Sequence, residues 1–442
     1  MTPTAPLTDS HLAFARRQDR IDGLGHLRAR FIGTVVDGDT DPAGTLPNPL
    51  AYLDGNSLGR PTRAAAERIA AFITGAWGTR LIRGWDDEWM ELPLRIGDDL
   101  GRAALGAGPG QVFVGDSTTV LLYKLARAAV DARPGRTEIV LDSDNFPTDR
   151  YVLEGIAAER GLTLRWITSD PEAGVTPEQV RDVVGPNTAL VLLSHVAYRS
   201  GFLADMKAIT RVAHTQDALV LWDLSHSVGS VPIELDLCDV DLAVGCSYKY
   251  LSGGPGAPAF GYVRRDLQDV LAQPIQGWMG TTEIFLMGPG YVPATGIRRF
   301  MSGTPAVVGM LAMQDTIAMI EQVTIAEVRA KSVALTEFAL TLVDDWLAPL
   351  GVTAASPRES THRGGHVTIN HPAMRQVTSI LWANDVIPDF RAPHGLRIGL
   401  APLSTSFVET YEGVAAIRDV LRGILIGQSG LVDPSSGASV GL

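Results

Sequence analysis

Short apolar runs alternate with helical patterns between about residue 60 and residue 300. The runs are uniformly hydrophobic, which is typical of strands that are buried on both faces and joined by crossover helices. We expect strands at 112–114, 138–141, 163–167, 189–194, 219–223, 242–246 and 259–263. Seven such strands predict an α/β fold in which helices flank one large, mostly parallel sheet.

Two helices of this region can be predicted from local signals. The range 63–77 is expected to be one helix with apolar side chains on a single face, namely Ile69, Phe72, Ile73, Ala76 and Trp77. Thr176, Pro177 and Gln179 have the spacing of a capping box, which predicts the start of a second helix.

The pattern changes after Thr304 and Pro305. A long helical stretch runs to about Leu347, and strand-like pieces at 366–370 and 396–400 and a closing helix near 408–425 follow it. This order is typical of a smaller α+β domain. We predict an N-terminal arm with the start of the small domain at 1–60, a large domain at 61–304, a small C-terminal domain at 305–426 and a disordered tail at 427–442.

Composition narrows the class of protein. The 442 residues carry a net charge of -12, which argues against a surface that binds nucleic acid. The two cysteines, Cys238 and Cys246, lack metal-ligand spacing and cannot form a disulfide framework, so we expect no metal site and a reducing cytoplasm. No uncharged stretch approaches the roughly 20 residues of a membrane span, which predicts a soluble protein. The expected partners are a small molecule and a second copy of the chain.

Polar residues at the ends of apolar strands are the first candidates for chemistry, because ligands of open parallel sheets collect there. Asp223 ends the strand 219–223. A carboxylate at such a place is costly to desolvate unless a cation meets it, and a protonated pyridine nitrogen is such a cation. Asp223 could equally cap the next helix, and His226 could be an ordinary core histidine.

Lys249 follows the neighbouring strand, 242–246, and precedes a glycine-rich turn. Partial burial at a strand end lowers the pKa of a lysine and gives the free amine that a catalytic lysine needs. The alternative is an exposed lysine in a loop. The pairing of Lys249 with Asp223, and the hydroxyls of Ser247 and Tyr248 beside it, favour a pyridoxal phosphate (PLP) site in which Lys249 holds the cofactor as a Schiff base.

Two further strand ends fit this hypothesis. After the strand 112–114, Thr118 and Thr119 open a helix whose backbone N–H groups and dipole are suited to phosphate, although plain helix capping explains the hydroxyls as well. After the strand 138–141, Phe146 could stack on a planar ring and Asp149 could add a carboxylate, although such a turn is also ordinary loop chemistry.

Several stretches of the chain, in this order, resemble kynureninase, a PLP enzyme of the aspartate aminotransferase fold type (fold type I). They are Leu53–Gly59, Thr118–Thr119, Phe146–Asp149, Trp222–His226, Ser247–Leu251, Gly277–Gly280, Gly395–Arg397 and Ala401–Leu403. The chain departs from the family pattern at Leu121, where many relatives have asparagine, and at Gly303-Thr304, where animal enzymes have serine and asparagine. With Trp85, these departures resemble the bacterial enzymes that prefer kynurenine.

The resemblance implies a role for each matching residue. Lys249, Tyr248 and Asp223 would be catalytic, with Lys249 bound to PLP and Asp223 paired with its ring nitrogen. The other cofactor-binding residues would be Phe146, Asp149, Ser194, His226, Thr118 and Thr119, joined by Trp278 and Thr304 from the second subunit of a homodimer. Arg397 would bind the α-carboxylate of the substrate, and Asn56, Ser57 and Trp85 would line the side of its aromatic ring.

The implied reaction is the hydrolysis of L-kynurenine to anthranilate and L-alanine, with 3-hydroxykynurenine as a second candidate substrate. Lys249 would remove the α-proton and Tyr248 would return a proton. The resemblance also implies a place in tryptophan catabolism, in the kynurenine pathway towards NAD biosynthesis or in the supply of anthranilate. Two alternatives stay open: another PLP lyase of the same fold, such as a cysteine desulfurase, and a catalytically silent dimer that binds PLP.

Overall fold

The computed structural model describes residues 10–34 and 49–427. The strands are β1 (Ala51–Tyr52), β2 (Val112–Gly115), β3 (Glu138–Asp142), β4 (Thr163–Ile167), β5 (Thr188–Ser194), β6 (Leu219–Asp223), β7 (Leu242–Gly245), β8 (Ala259–Val263), β9 (Thr353–Ala354), β10 (His366–Asn370), β11 (Val386–Ile387), β12 (Asp389–Arg391) and β13 (Gly395–Gly399).

The α-helices are α1 (Ser10–Ile21), α2 (Arg63–Phe72), α3 (Leu92–Leu100), α4 (Thr118–Asp131), α5 (Pro147–Arg160), α6 (Pro177–Val183), α7 (Met206–His214), α8 (Val307–Met310), α9 (Met313–Val323), α10 (Ile325–Leu342), α11 (Met374–Trp382) and α12 (Phe407–Leu425). The π-helical segments are Ile73–Arg80, Trp85–Trp89, Gly101–Leu105 and Val343–Leu347. Short 3₁₀ turns lie at Gly25–Arg30, Leu81–Arg83, Arg265–Leu267, Trp278–Gly280, Gly296–Phe300, Ala348–Leu350 and Ser360–His362.

The large sheet confirms the predicted fold class. Its seven strands lie in the order β2-β8-β7-β6-β5-β3-β4, and β8 alone runs antiparallel to its neighbours. Each strand lies within one residue of its predicted range at either end. Every residue of β2, β6, β7 and β8 is buried, because apolar clusters cover both faces of the sheet. Burial on both faces accounts for the uniformly hydrophobic runs.

The topology brings the polar strand ends to one edge. Strands β5, β6 and β7 are parallel to one another, and β2 and β7 both run antiparallel to the β8 strand between them. The carboxyl ends of β2, β5, β6 and β7 therefore lie on the same edge of the sheet. Residues that follow these strands are carried to a common place, as expected for an open α/β sheet.

The predicted helix at 63–77 is helical throughout, but its α-helical part is shorter than predicted. The α-helix ends at Phe72 and continues as the π-helical segment Ile73–Arg80. Of α2 only Ala65 is buried, while the side chains of Ile73 and Trp77 are 45% and 50% exposed. Helical spacing places side chains on one face but does not decide whether another element covers that face. The capping box at Thr176 and Gln179 is confirmed.

A second, smaller sheet lies in the C-terminal part of the chain. Strands β12, β13, β10 and β9 form a four-stranded antiparallel sheet, and β1 pairs with β11 in parallel. Residues of β1, β10, β13, α10, α11 and α12 share one apolar cluster. The predicted strands at 366–370 and 396–400 and the closing helix near 408–425 correspond to β10, β13 and α12.

The domain boundaries remain predictions. Apolar residues of α8 and α9 pack in a cluster with the large sheet, whereas residues from Leu335 onward pack with the small sheet. This packing favours a boundary within α10 rather than at residue 305, and we propose that position. The predicted disordered tail lies outside the described residues after Gly427, as does part of the N-terminal arm.

Candidate active site

Lys249 lies in the turn after β7, and its side chain is buried. Its Nζ is 2.9 Å from Nε2 of His226, which follows the neighbouring strand β6. Burial lowers the pKa of Lys249 from its usual value, and burial and the charge of Lys249 hold the pKa of His226 well below its usual value. Both shifts are towards the neutral side chain, and a buried lysine of lowered pKa is suited to nucleophilic and base chemistry.

Asp223 is the last residue of β6, and register places it beside Ser194 of β5 and Val244 of β7. Its Oδ1 accepts a hydrogen bond of 2.8 Å from the backbone N–H of Ser225. The hydroxyl of Ser194 donates to Oδ1 of Asn145 over 2.8 Å. A buried carboxylate and a hydroxyl thus lie side by side at the sheet edge.

Asp149 adds a second buried carboxyl group from the first turn of α5. Its pKa is raised well above the usual value by burial and then by the charges of Asp223 and Asp142, and Lys249 opposes this shift. Its Oδ2 and Nδ2 of Asn145 are buried and have no hydrogen-bond partner among the described residues. Such unpaired groups cost about 1–3 kcal/mol each, so this edge of the sheet is suited to a polar ligand.

Phe146 directly precedes α5, which begins with Pro147. The ring centroid of Phe146 lies 5.9 Å from Nζ of Lys249 and meets the ring of Tyr198 edge-on at 5.4 Å. Its backbone N–H donates to Oδ1 of Asn145 over 2.8 Å, which holds the turn in place. An aromatic ring beside the buried amine can stack on a planar group.

Thr118 and Thr119 form the first turn of α4, immediately after β2. Ser117 caps this helix, since its side chain accepts a hydrogen bond from the backbone N–H of Val120. The capping role belongs to Ser117, and the next two hydroxyls lie in a first turn that is partly exposed or exposed. The N-terminal end of a helix of 14 residues is favourable for a phosphate group.

Arg397 reaches the site from β13 and is fully buried. Its guanidinium donates to the carbonyl of Tyr198 at 2.7 Å and to Oγ of Ser57 at 2.6 Å, and it forms an ion pair of 2.5 Å with Asp389. Burial lowers the pKa of Arg397. A buried cation fixed by three partners is suited to bind a carboxylate.

Asn56 lies beside Ser57 and is also fully buried. Its Oδ1 is 1.8 Å from the place where a Cβ would stand at Gly399, so only glycine leaves room for it there. Both polar atoms of the Asn56 side chain lack a hydrogen-bond partner in the described structure. Asn56, Ser57 and Arg397 therefore come together as one polar face.

Trp85, Trp278 and Thr304 lie apart from the Lys249 cluster. Trp85 and Thr304 line an apolar cavity of about 330 Å³, and Trp278 lies against Phe285 with ring centroids 6.2 Å apart. Within the described residues, no hydrogen bond or ion pair joins these three to Lys249.

Sequence reasoning missed four residues of this region: Asn145, Tyr198, His366 and Asp389. Asp389 and Tyr198 hold Arg397, and Asn145 binds Ser194. His366 lies against His226 with ring centroids 5.7 Å apart. Asn145 could have been found from its place beside Phe146 after a strand, whereas the others are brought in by pairing within the small sheet or by a loop.

Comparison with known proteins identifies the family. Residues 328–417 match the model of the kynureninase C-terminal domain. A kynureninase of Pseudomonas fluorescens is 38% identical over 410 residues, which cover 91% of this chain and 94% of that protein. A kynureninase of Burkholderia pseudomallei shows the same identity and coverage. The chain belongs to the kynureninase family. This is the family that the stretches Gly55–Gly59, Phe146–Asp149 and Gly277–Trp278 indicated, whereas the motifs around Asp223 and Lys249 indicated only the cofactor.

Solved structures show that the fold of this kynureninase family member is that of fold type I PLP enzymes. A cysteine desulfurase from Thermococcus onnurineus NA1 has a TM-score of 0.73 at 18% identity and covers 84% of this chain and 95% of its own. A variant of a cystine C-S lyase, with glycine covalently linked to its PLP cofactor, has a TM-score of 0.75 at 19% identity and covers 86% and 100%. Identities this low support the fold alone.

The described residues contain no group of three or more His, Cys, Asp or Glu side chains that could hold a metal ion. None of their helices is both long and apolar enough to cross a membrane.

Proposed function

We propose that this chain hydrolyses L-kynurenine to anthranilate and L-alanine with PLP as its cofactor. One water molecule is consumed as the bond between the β- and γ-carbons breaks. The observation that carries the proposal is the buried amine of Lys249, which contacts His226 at the sheet edge where the carboxylate of Asp223 also lies and whose pKa burial lowers. A relative that is 38% identical is a kynureninase, and the kynureninase reaction fits this arrangement.

The side chains present fit PLP. Lys249 would hold the cofactor covalently and Asp223 would face its ring nitrogen, while Phe146 stacks on the ring. Asp149, Ser194 and His226 would line the ring, and Thr118, Thr119 and Tyr248 would bind the phosphate. The buried, unpartnered atoms Oδ2 of Asp149 and Nδ1 of His226 support this fit, because a polar ligand satisfies them. When bound, PLP supplies an electron sink for carbanion chemistry.

Lys249 and Tyr248 move the protons in this proposal. The lowered pKa of Lys249 gives an amine that can take the proton from the α-carbon of the substrate. Burial raises the pKa of Tyr248, so its hydroxyl keeps its proton at neutral pH and can donate it to the product. The two groups are adjacent in the chain, with Nζ of Lys249 6.0 Å from the ring centroid of Tyr248.

Arg397 orients the substrate by binding its α-carboxylate. Ser57 already accepts a hydrogen bond from this guanidinium, and Asn56 offers an unpaired amide next to it. We assign these two residues and Trp85 to the aromatic end of the substrate. Trp85 is well suited to stack on an aryl ring, since it lies in an apolar cavity with other tryptophans.

A homodimer would complete the site, with Trp278 and Thr304 supplied by the partner subunit. Apolar side chains near Trp278 support this assembly, because they are exposed in the single chain: Phe285 is 58% exposed, Leu286 74% and Met287 72%. Contiguous exposed apolar side chains of this kind mark protein interfaces. A second copy that covers them would bring Trp278 to a site other than its own.

Mixing two inactive variants tests the composite site. Lys249→Ala and Trp278→Ala chains are refolded or co-expressed together, and the mixture is assayed for anthranilate. If sites are shared, roughly a quarter of wild-type activity returns, because half of randomly mixed dimers are hybrids and each hybrid holds one intact site. Activity no higher than the sum of the separate variants would mean that Trp278 serves its own chain.

We further propose that kynurenine is the preferred substrate and that the enzyme is cytoplasmic. The departures at Leu121 and Gly303-Thr304 and the presence of Trp85 favour kynurenine over its 3-hydroxy form. The experiment is to compare kcat/KM for kynurenine and 3-hydroxykynurenine, and a higher value for the latter would reverse the assignment. Cys238 and Cys246 are both free thiols, which supports a cytoplasmic enzyme.

Cysteine desulfurase activity is the second candidate, since proteins with this fold include such enzymes. That chemistry needs a reactive thiolate. Cys246 is fully buried, and burial raises the pKa of both Cys246 and Cys238, so neither thiol is poised as a nucleophile. The Lys249, Asp223 and Arg397 side chains likewise argue against a silent PLP-binding dimer. Release of sulfide from cysteine, with kynurenine inert, would favour the desulfurase.

A further inference from the structure

Lys124 is a fully buried lysine in the second turn of α4 that the proposed reaction does not use. Side chains on an α-helix point back towards its N-terminus, so this ammonium reaches the loop that precedes the helix. There Nζ donates a hydrogen bond of 3.1 Å to Oδ2 of Asp116. It also donates to the backbone carbonyl of Phe300, which lies 176 residues further along the chain. Lys124 therefore joins the loop after β2 to a distant segment.

The ammonium of Lys124 depends on Asp116 for its charge. Aromatic side chains lie beside it, since Nζ is 5.6 Å from the ring centroid of Phe113, which stacks on Phe300 at 6.1 Å. Burial lowers the pKa of Lys124, and the charge and hydrogen bond of Asp116 oppose that shift. A buried ammonium is costly unless an anion meets it, and Asp116 supplies that anion.

Asp116 has a backbone conformation that residues other than glycine rarely adopt. Its φ is 48°, in the left-handed region. Its carbonyl accepts a hydrogen bond of 3.0 Å from the backbone N–H of Ala259 in β8, and Lys124 binds its side chain. Asp116 directly precedes Ser117, the residue that caps α4. The conformation of Asp116 therefore sets the direction in which the chain enters the turn that begins with Thr118.

The second partner of Lys124 leads to other residues that the proposed function assigns to the cofactor. Phe300 and Thr304 lie in one short segment of the chain. Between them, the carbonyl of Ser302 accepts a hydrogen bond of 3.2 Å from the backbone N–H of Met279, the residue after Trp278. One buried ammonium thus contacts two separate segments, and each of them leads to residues assigned to the cofactor.

We propose that Lys124 is a positioning residue for the phosphate of the cofactor. Its ammonium neutralises Asp116 and holds that residue in the left-handed conformation, and it thereby fixes the turn of Thr118 and Thr119. The side chain of Asp116 is 32% exposed, so without the ammonium its charge would repel a phosphate at the start of α4. The inference rests on the proposed function, because it takes Thr118 and Thr119 as phosphate ligands. Lys124 acts through Asp116.

The test compares three variants of the full-length chain. Lys124→Met removes the ammonium and keeps an unbranched apolar stem. Lys124→Met/Asp116→Asn also removes the carboxylate and supplies asparagine, which tolerates the left-handed region. Lys331→Met is the matched control, since it makes the same change at a buried lysine of α10 that is paired with Asp22 at 2.7 Å. Thermal unfolding is recorded for each variant to confirm that it folds.

Two readouts do not depend on turnover. The first is the Kd of PLP and that of pyridoxal, which lacks the phosphate, both measured by absorbance on cofactor-free protein. The second is the phosphorus NMR shift of bound PLP. We expect Lys124→Met to move this shift and to raise the Kd of PLP about tenfold, the size of one hydrogen bond to a charged group. The Kd of pyridoxal should stay within about threefold of wild type.

The other two variants separate positioning from stability. Lys124→Met/Asp116→Asn should return the Kd of PLP to within about threefold of wild type, because no carboxylate is left to neutralise. Lys331→Met should lower the unfolding temperature and change neither Kd nor the phosphorus shift. If Lys124→Met does not fold, Lys124→Gln takes its place under the same criteria.

A Lys124→Met variant with the wild-type Kd for PLP, or with equal losses for PLP and pyridoxal, would overturn the proposal. A double variant that binds PLP as weakly as Lys124→Met would also overturn it. The proposed function fails separately. A wild type that is inert towards kynurenine, in which Lys124→Met still weakens PLP but not pyridoxal, loses only the proposed reaction. A wild type that turns over kynurenine while Lys124→Met binds PLP normally loses only the positioning role.

Discussion

Replacing Arg397 with lysine tests the proposed substrate clamp. The guanidinium is fully buried and uses two nitrogens at once, with Nη1 at 2.7 Å from the carbonyl of Tyr198 and Nη2 at 2.6 Å from Oγ of Ser57. Lysine keeps the charge but has a single nitrogen on a flexible stem, so it cannot hold these partners and a carboxylate in a planar, two-point arrangement. Arg397→Lys should therefore weaken carboxylate binding.

The loss can be given a magnitude. One hydrogen bond to a charged group contributes about 1.5–3 kcal/mol, and each 1.4 kcal/mol is a factor of ten in affinity. Arg397→Lys should raise the KM for kynurenine and the Kd for L-alanine by about 10- to 100-fold, with a smaller effect on kcat. Initial rates of anthranilate fluorescence give KM and kcat, and the cofactor absorbance gives the Kd.

Arg363→Lys is the matched control. Arg363 is equally buried and lies in the small domain, but its partners are the backbone carbonyl of Pro357 and the side chain of Glu337. This variant should lose stability while its KM stays near wild type. If Arg397→Lys left KM and Kd unchanged, or raised them no more than Arg363→Lys does, the assignment of the carboxylate to Arg397 would be refuted.

Three more predictions concern the amine, a buried histidine and a buried ion pair. Lys249→Ala should lower kcat for kynurenine by about 10²- to 10⁴-fold, the usual contribution of a proton-transfer group, and wild-type turnover would remove the lysine from the mechanism. Burial lowers the pKa of His195 to about 3, so its contribution to stability is present above the unfolded pKa of about 6.5 and is lost as pH falls. Between pH 7 and pH 5, the unfolding free energy of wild type, measured in urea, should fall by about 2 kcal/mol more than that of His195→Gln. An equal fall in both proteins would contradict this prediction. Asp22→Ala strands the ammonium of Lys331, 2.7 Å away and buried, and should lower the unfolding free energy by about 3–5 kcal/mol. Asp217→Ala, which removes an exposed pair with Arg136, should lower the unfolding free energy by at most about 1 kcal/mol. If both variants lost the same unfolding free energy, the larger contribution assigned to the Asp22–Lys331 pair would be wrong.

Residues that follow buried parallel strands could be placed from the sequence. Asp223 and Lys249 end neighbouring apolar runs, and parallel strands carry their carboxyl ends to one edge, so their proximity follows from the pattern. The seven strands were predictable for the same reason, since burial on both faces leaves a continuous hydrophobic run. The family motifs then assigned Arg397 to the site, although it lies about 150 residues further along the chain.

Other parts of the site depend on contacts between distant segments. Asp389 reaches Arg397 because β12 pairs with β13, and His366 lies beside Arg397 because of the register of β10 with β13. Neither pairing leaves a local signal in the sequence. The exposure of Ile73 and Trp77 has a related cause, because periodicity places apolar side chains on one face but tertiary packing decides what covers that face.

The most direct test of the proposed function is the reaction of purified, PLP-loaded protein with L-kynurenine. The chain should form anthranilate and L-alanine in equal amounts, measured by fluorescence and by amino-acid analysis, and Lys249→Ala should form neither at a comparable rate. A wild-type protein that forms no anthranilate, or one that leaves kynurenine intact while it releases sulfide from cysteine, would contradict the account.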